Sequence, residues 1–85
     1  MASFILQDRF VLFGGKVIIV GQVRSDVLRV GMTTNIEGKT MKIKAVEMAH
    51  KQVTEAKAGD NVGLLLENAD AKLINNYKGR ILEFV

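Results

Sequence analysis

With 85 residues, no cysteine and a formal net charge of +3, the chain fits one small domain over residues 1–85, can form no disulfide and offers no thiolate to a metal. Hydrophobic residues at 48% and charged residues at 25% exclude a disordered polar chain. The charge is a mild basic bias, compatible with phosphate backbones but too small to demand them.

The predicted elements are short and separated by glycines. Phe4 to Phe13 reads as a first strand, with Leu6, Asp8, Phe10 and Leu12 on one face by the period of two. Gly14-Gly15 turns the chain. Val17 to Arg24 is the strongest strand because it opens on four β-branched residues. Ile19, Gly21 and Val23 are expected inside, with Gly21 allowing a sharp bend of the wall. Ile18 and Val20 then project outward, where neighbouring apolar side chains can mark a contact surface. Ser25-Asp26 predicts a hairpin turn into Val27 to Val30.

Gly31 leads to a strand over Thr33 to Glu37, and Gly38-Lys39 turns again. Thr40 to Met48 starts with Met41, Ile43 and Ala45 alternating against Lys42 and Lys44, then places Val46 and Met48 on the other parity. A β-bulge near Ala45 would keep both apolar sets inside. Gln52 to Glu55 reads as a weak polar strand. Asn61 to Glu67 carries Leu64-Leu65-Leu66 and is expected to be buried on both sides. Asn68 to Asn76 reads as a helical turn or a loop, and Arg80 to Val85 as the last strand. Nothing shows sustained helical periodicity. The prediction is an all-β fold, a closed antiparallel β-barrel, because closure removes edge strands that a chain without proline has few other ways to protect.

Few groups suggest chemistry. Gly38-Lys39-Thr40 is like the end of a phosphate-binding loop, but Thr33 stands where that motif needs glycine and a strand follows where it needs a helix. His50, the sole histidine, has no cysteine or second histidine with which to bind zinc, and reads as an exposed loop residue. Asp8, Glu47, Glu55 and Asp60 show no spacing that demands a carboxylate pair. Asp60 beside Gly59 suits a turn, and Asp8 a structural role. Lys39, Lys42 and Lys44 are expected along one side of a strand, with Lys51 and Lys57 in the loops that follow. That face reads either as a phosphate contact or as a solvated surface that blocks edge pairing. No aromatic residue interleaves with the lysines, which disfavours a base-stacking platform.

Several segments in order resemble the second domain of translational GTPases, the β-barrel of elongation factor Tu and its relatives. Leu6-x-Asp8-x-Phe10-x-Leu12 is similar to the family's first strand. Val17 to Val23 resembles the strand that usually reads threonine, valine, valine, threonine, glycine, arginine, valine. Val27 to Gly31, Val46-Glu47-Met48, Ala58 to Gly63 and Gly79 to Leu82 follow as the family has them. The resemblance covers nearly the whole chain. It implies that Glu47 matches the glutamate bordering the terminal adenosine of tRNA, and that Asn61 matches the asparagine by the aminoacyl group. Ala49 replaces an aromatic or histidine, His50 replaces a stronger base, and Gly14-Gly15-Lys16 lacks the usual third glycine.

These 85 residues contain no GTP-binding domain and no third barrel. The resemblance therefore implies a non-enzymatic, stand-alone accessory module of translation that uses no cofactor and no metal. It would bind RNA, either a tRNA acceptor end or ribosomal RNA, through Lys39, Lys42, Lys44, Glu47, His50, Lys51 and Asn61. A separately encoded translation GTPase is a further expected partner. The alternative is a protein-interaction module, docking on a partner or on itself through Ile18 and Val20. No apolar run approaches the roughly 20 residues of a membrane-spanning helix, and Met1-Ala2-Ser3 does not open a signal peptide. A cytoplasmic location without membrane contact is expected.

Overall fold

A computed structural model describes all 85 residues. In chain order it contains β1 (Ala2–Val11), β2 (Val17–Ser25), β3 (Val27–Arg29), β4 (Thr33–Ile36), β5 (Lys39–Met48), β6 (Lys51–Val53), β7 (Glu55–Lys57) and β8 (Asn61–Glu67). A single helical turn, α1 (Ala71–Asn75), and β9 (Ile81–Phe84) complete it. The main sheet runs β4–β5–β8–β2–β1–β9, with β6 beside β5. Thr33 of β4 and Val85, just past β9, exchange both backbone hydrogen bonds at 2.8 Å, as residues of an antiparallel pair do. That exchange closes the sheet into the expected antiparallel barrel.

The closed wall encloses one apolar core. Phe4, Leu6, Ile19, Val23, Met41, Ile43, Leu64 and Phe84 are buried in it. Phe4 and Phe84 meet edge to face, with centroids 6.1 Å apart, where β1 and β9 pair. Gly21 lies inside as expected. A Cβ there would stand 1.9 Å from the Ile5 carbonyl oxygen, so β1 and β2 approach as closely as they do only because that atom is missing. α1 starts at Asp70, whose side chain accepts from the Lys72 and Leu73 N–H groups, and it buries Ile74 against the barrel.

The expected bulge in β5 is present. Ile43 pairs with Leu66 and Ala45 with Leu65, so Lys44 is the extra residue; Met41, Ile43 and Val46 are buried, but Ala45, expected inside, lies on the outer face of the wall. The turn at Glu37-Gly38 joins β4 to β5 with both residues at positive φ, the mirror-type geometry that suits a two-residue hairpin. It is not a phosphate-binding loop.

Other expectations need correction. β1 also has a bulge, because Leu6 pairs with Gly21 and Asp8 with Val20, leaving Gln7 unmatched. The extra residue reverses the parity, and β9 pairs only with Ala2 to Ile5 of β1. Phe10 and Leu12 therefore do not enter the core. With Val11 and a fully exposed Phe13 they form an arm beyond the barrel body. β3 follows a turn at Asp26 but pairs with β7 rather than with β2. The polar segment after β5 splits into β6 and β7, which join different sheets. Leu65 is only half-buried, because β8 has the core on one side and an open groove on the other.

Candidate functional site

β2, β8 and β5 lie side by side, so their outward residues form one surface. Ile18 pairs with Leu65 and Val20 with Gly63 across β2–β8, while Ala45 pairs with Leu65 and Glu47 with Gly63 across β8–β5. Gly63 thus lies between Val20 and Glu47 and puts no side chain between them. The result is a groove of about 540 Å³, with Ile18, Val20, Ala45, Val62 and Leu65 as apolar lining and Glu47, His50, Gln52 and Asn61 as polar lining. A volume of this size suits one small organic group. The bulge at Lys44 matters here, because it turns Ala45 and Glu47 toward the groove while Val46 enters the core.

Two turns fix the polar rim. Met48 pairs with Lys51, which leaves Ala49 and His50 as a two-residue loop at φ 53° and 64°. Mirror-type turns need both residues in the left-handed region, which histidine tolerates better than alanine. On the other side, the Gly59 N–H donates to the Val23 carbonyl at 2.7 Å and the Val23 N–H to the Asp60 carbonyl at 2.9 Å. The Asp60 carboxylate accepts from the Lys57 N–H at 3.0 Å, the turn role its sequence suggested. These bonds clamp the start of β8 to β2 and hold Asn61 at the rim.

No protein-family model matches the chain. Elongation factor 1-alpha of Meyerozyma guilliermondii is 37% identical over 71 residues, covering 81% of this chain and 16% of that protein. Elongation factor 1-alpha of Eremothecium gossypii is 38% identical over the same length and shares. The translation elongation factor SelB of Methanococcus maripaludis superposes with a TM-score of 0.82 at 29% identity, over 95% of this chain and 17% of that one. The chain is homologous to the β-barrel domain of translation elongation factors and has its fold. A bacterial selenocysteine-specific elongation factor shares the fold, with a TM-score of 0.78 at 21% identity over 95% of this chain and 14% of its own. The barrel domain spans only 16% of the length of the curated relatives named here, and the likeness falls on their barrel rather than on their GTPase domain.

Within the barrel domain, the predicted residues divide in an unexpected way. Glu47, His50 and Asn61 converge on the groove, and Ile18 and Val20, read as a rival surface, form part of the same groove. Lys39, Lys42, Lys44 and Lys51 do not line it. Lys39 has the parity of Met41 and Ile43, not that of Lys42, and its Nζ lies 4.0 Å from Asp70. Lys42 and Lys44 face solvent on β5, and Lys51 is exposed on β6. Lys44 instead shares a smaller hollow of about 280 Å³ with Lys16, Gly14, Gly15 and Glu67. The single lysine face expected from β5 is therefore divided, with Lys39 apart from Lys42 and Lys44. Sequence reading missed Gly63, Ala45, Leu65 and Gln52 as groove residues. Ala45 was expected inside and Leu65 buried on both sides, and which strands lie beside β2 was not legible.

Proposed function

We propose that this barrel domain is a non-enzymatic RNA-binding module of translation whose groove takes an unpaired RNA end, such as a tRNA acceptor end or a ribosomal RNA nucleotide. The observation that carries the reading is the convergence of Glu47, His50 and Asn61 on an apolar floor of nucleotide size. A base can lie flat on Ile18, Val20 and Leu65 while the carboxylate and amides accept and donate hydrogen bonds around it. Lys42, Lys44 and Lys51 stand outside the groove, where a phosphate backbone leaving it can reach them. The domain would act in the cytoplasm, alongside a translation GTPase.

Fluorescence anisotropy with tRNA tests this directly. Micromolar or tighter binding is expected at low salt. If three or four phosphates are neutralised, the log–log salt slope should be about −2 to −3. Replacing Gly63 with leucine fills the groove and should abolish binding while the domain stays folded. Absence of binding at low salt overturns the reading. The half-buried apolar floor also supports a second reading, docking of a protein or of a second copy on Ile18 and Val20. Sedimentation separates the two, since a dimer whose affinity ignores salt supports docking.

A further inference from the structure

We infer that His50 sets the preference of the groove for an anionic ligand, and that it makes this preference depend on pH. The inference rests on the RNA-binding reading and deepens it. The charges around the groove lead to it. The chain holds 12 lysines and arginines, yet none of them lines the groove. Glu47 is the only lining carboxylate and His50 the only lining group that can become a cation. The other elements around His50 present neutral side chains: Ile18 and Val20 from β2, Gln52 from β6 and Asn61 from β8. Asp60, beside Asn61, has its carboxylate engaged by the Lys57 N–H. Lys51, beside His50, and Lys57 are exposed outside the groove.

Glu47 therefore gives the lining one uncompensated negative charge while the imidazole is neutral, and a phosphate entering the groove is repelled. Histidine is the side chain that ordinarily gains its charge between about pH 8 and 5. Protonation cancels the carboxylate and places a donor with full positive charge at the rim, so affinity for an anion rises as pH falls. The turn keeps this charge in place. With Ala49 and His50 as the whole connection between Met48 and Lys51, the imidazole is carried on a tight hairpin rather than on a long loop.

The test is anisotropy of a 5′-labelled RNA with an unpaired 3′ end, at fixed low salt, from about pH 8 to about pH 5.5. The native domain should bind about three- to fivefold tighter at the acid end, the effect of one partly solvated charge. His50→Asn keeps a side chain that tolerates positive φ but cannot charge. Whatever its affinity at the alkaline end, it should show no pH dependence. Glu47→Gln should bind tighter throughout and retain the slope. Circular dichroism confirms that each variant is folded. A flat profile for the native domain, or an undiminished slope in His50→Asn, overturns the inference and leaves the RNA reading standing. No RNA binding at any pH removes both.

Discussion

Gly21 and Gly63 lie in neighbouring strands and face opposite sides of the wall, and their environments predict opposite responses to the same change. A Cβ on Gly21 would meet the Ile5 carbonyl oxygen at 1.9 Å and Phe4 Cζ at 2.8 Å. A backbone atom cannot swing away as a side chain can, so β1 and β2 must separate where the core is densest. Gly21→Ala should cost about 3 kcal/mol, at the upper end of overpacking effects, as read from urea denaturation. A Cβ on Gly63 would meet only Ile18 Cγ2, at an ordinary 3.5 Å. Gly63→Ala should leave stability unchanged or raise it by up to about 1 kcal/mol. Ala49 invites the reverse substitution. At φ 53° it is an alanine in the left-handed region, which strains any residue with a Cβ by about 1–2 kcal/mol. Ala49→Gly should raise the urea midpoint by the equivalent of about 0.5–1 kcal/mol, because the greater entropy of unfolded glycine offsets part of the relief. A destabilised Ala49→Gly would show that the turn carries no strain. The sequence made Gly21 legible, since a glycine within a β-branched strand needs a steric reason. It could not separate Gly21 from Gly63, because that depends on which strand lies opposite.

The elements that sequence read well are β2, which opens on four β-branched residues, and β5, whose side chains alternate. In β5 the break in alternation after Ala45 even located a bulge. β1 gave no such warning, because Leu6, Phe10 and Leu12 keep one parity straight through the bulge at Gln7, and only the pairing with β2 exposes it. β3 and β7 are three residues each, too short for periodicity to fix a partner. The base of the β1–β2 arm is held by Asp8. Its carboxylate accepts from the Arg9 N–H at 2.8 Å and lies 3.1 Å from Lys78 Nζ. The Arg9 N–H first, and Lys78 second, hold the Asp8 carboxyl below its ordinary value of 3.8. A depressed carboxyl contributes stability above its unfolded pKa and loses it as pH falls through the folded one. The native chain should therefore resist urea better than Asp8→Asn near neutrality, and the gap should close as pH falls below about 4. A gap that persists in strong acid would mean that Asp8 acts through packing rather than charge. Half of the Asp8 side chain is exposed, so solvent screens the pair and the gap should be modest.

At the scale of the whole molecule, the barrel depends on a seam between its fourth and ninth strands. Two contributions hold that seam. One is the pair of hydrogen bonds between Thr33 and Val85. The other is Phe84, fully buried and packed edge to face on Phe4. Their magnitudes differ. Two backbone hydrogen bonds near solvent add about 1–3 kcal/mol together, and the exposed Val85 side chain adds little. Removing a buried phenylalanine ring costs about 3–5 kcal/mol, since the lost transfer energy is joined by the cavity it leaves. A domain of this size is stable by only about 4–13 kcal/mol in all. Deletion of Val85 should thus leave a folded barrel with a lower urea midpoint, and the Thr33 amide should exchange with solvent much faster. Phe84→Ala should destabilise more, enough to bring the thermal midpoint close to ambient in a chain at the weak end of that range. Packing then holds the cylinder shut, and the hydrogen bonds across the seam follow from it. If Val85 deletion proves as damaging as Phe84→Ala, the order is reversed, and closure depends on the bonds at the seam rather than on the core beneath it.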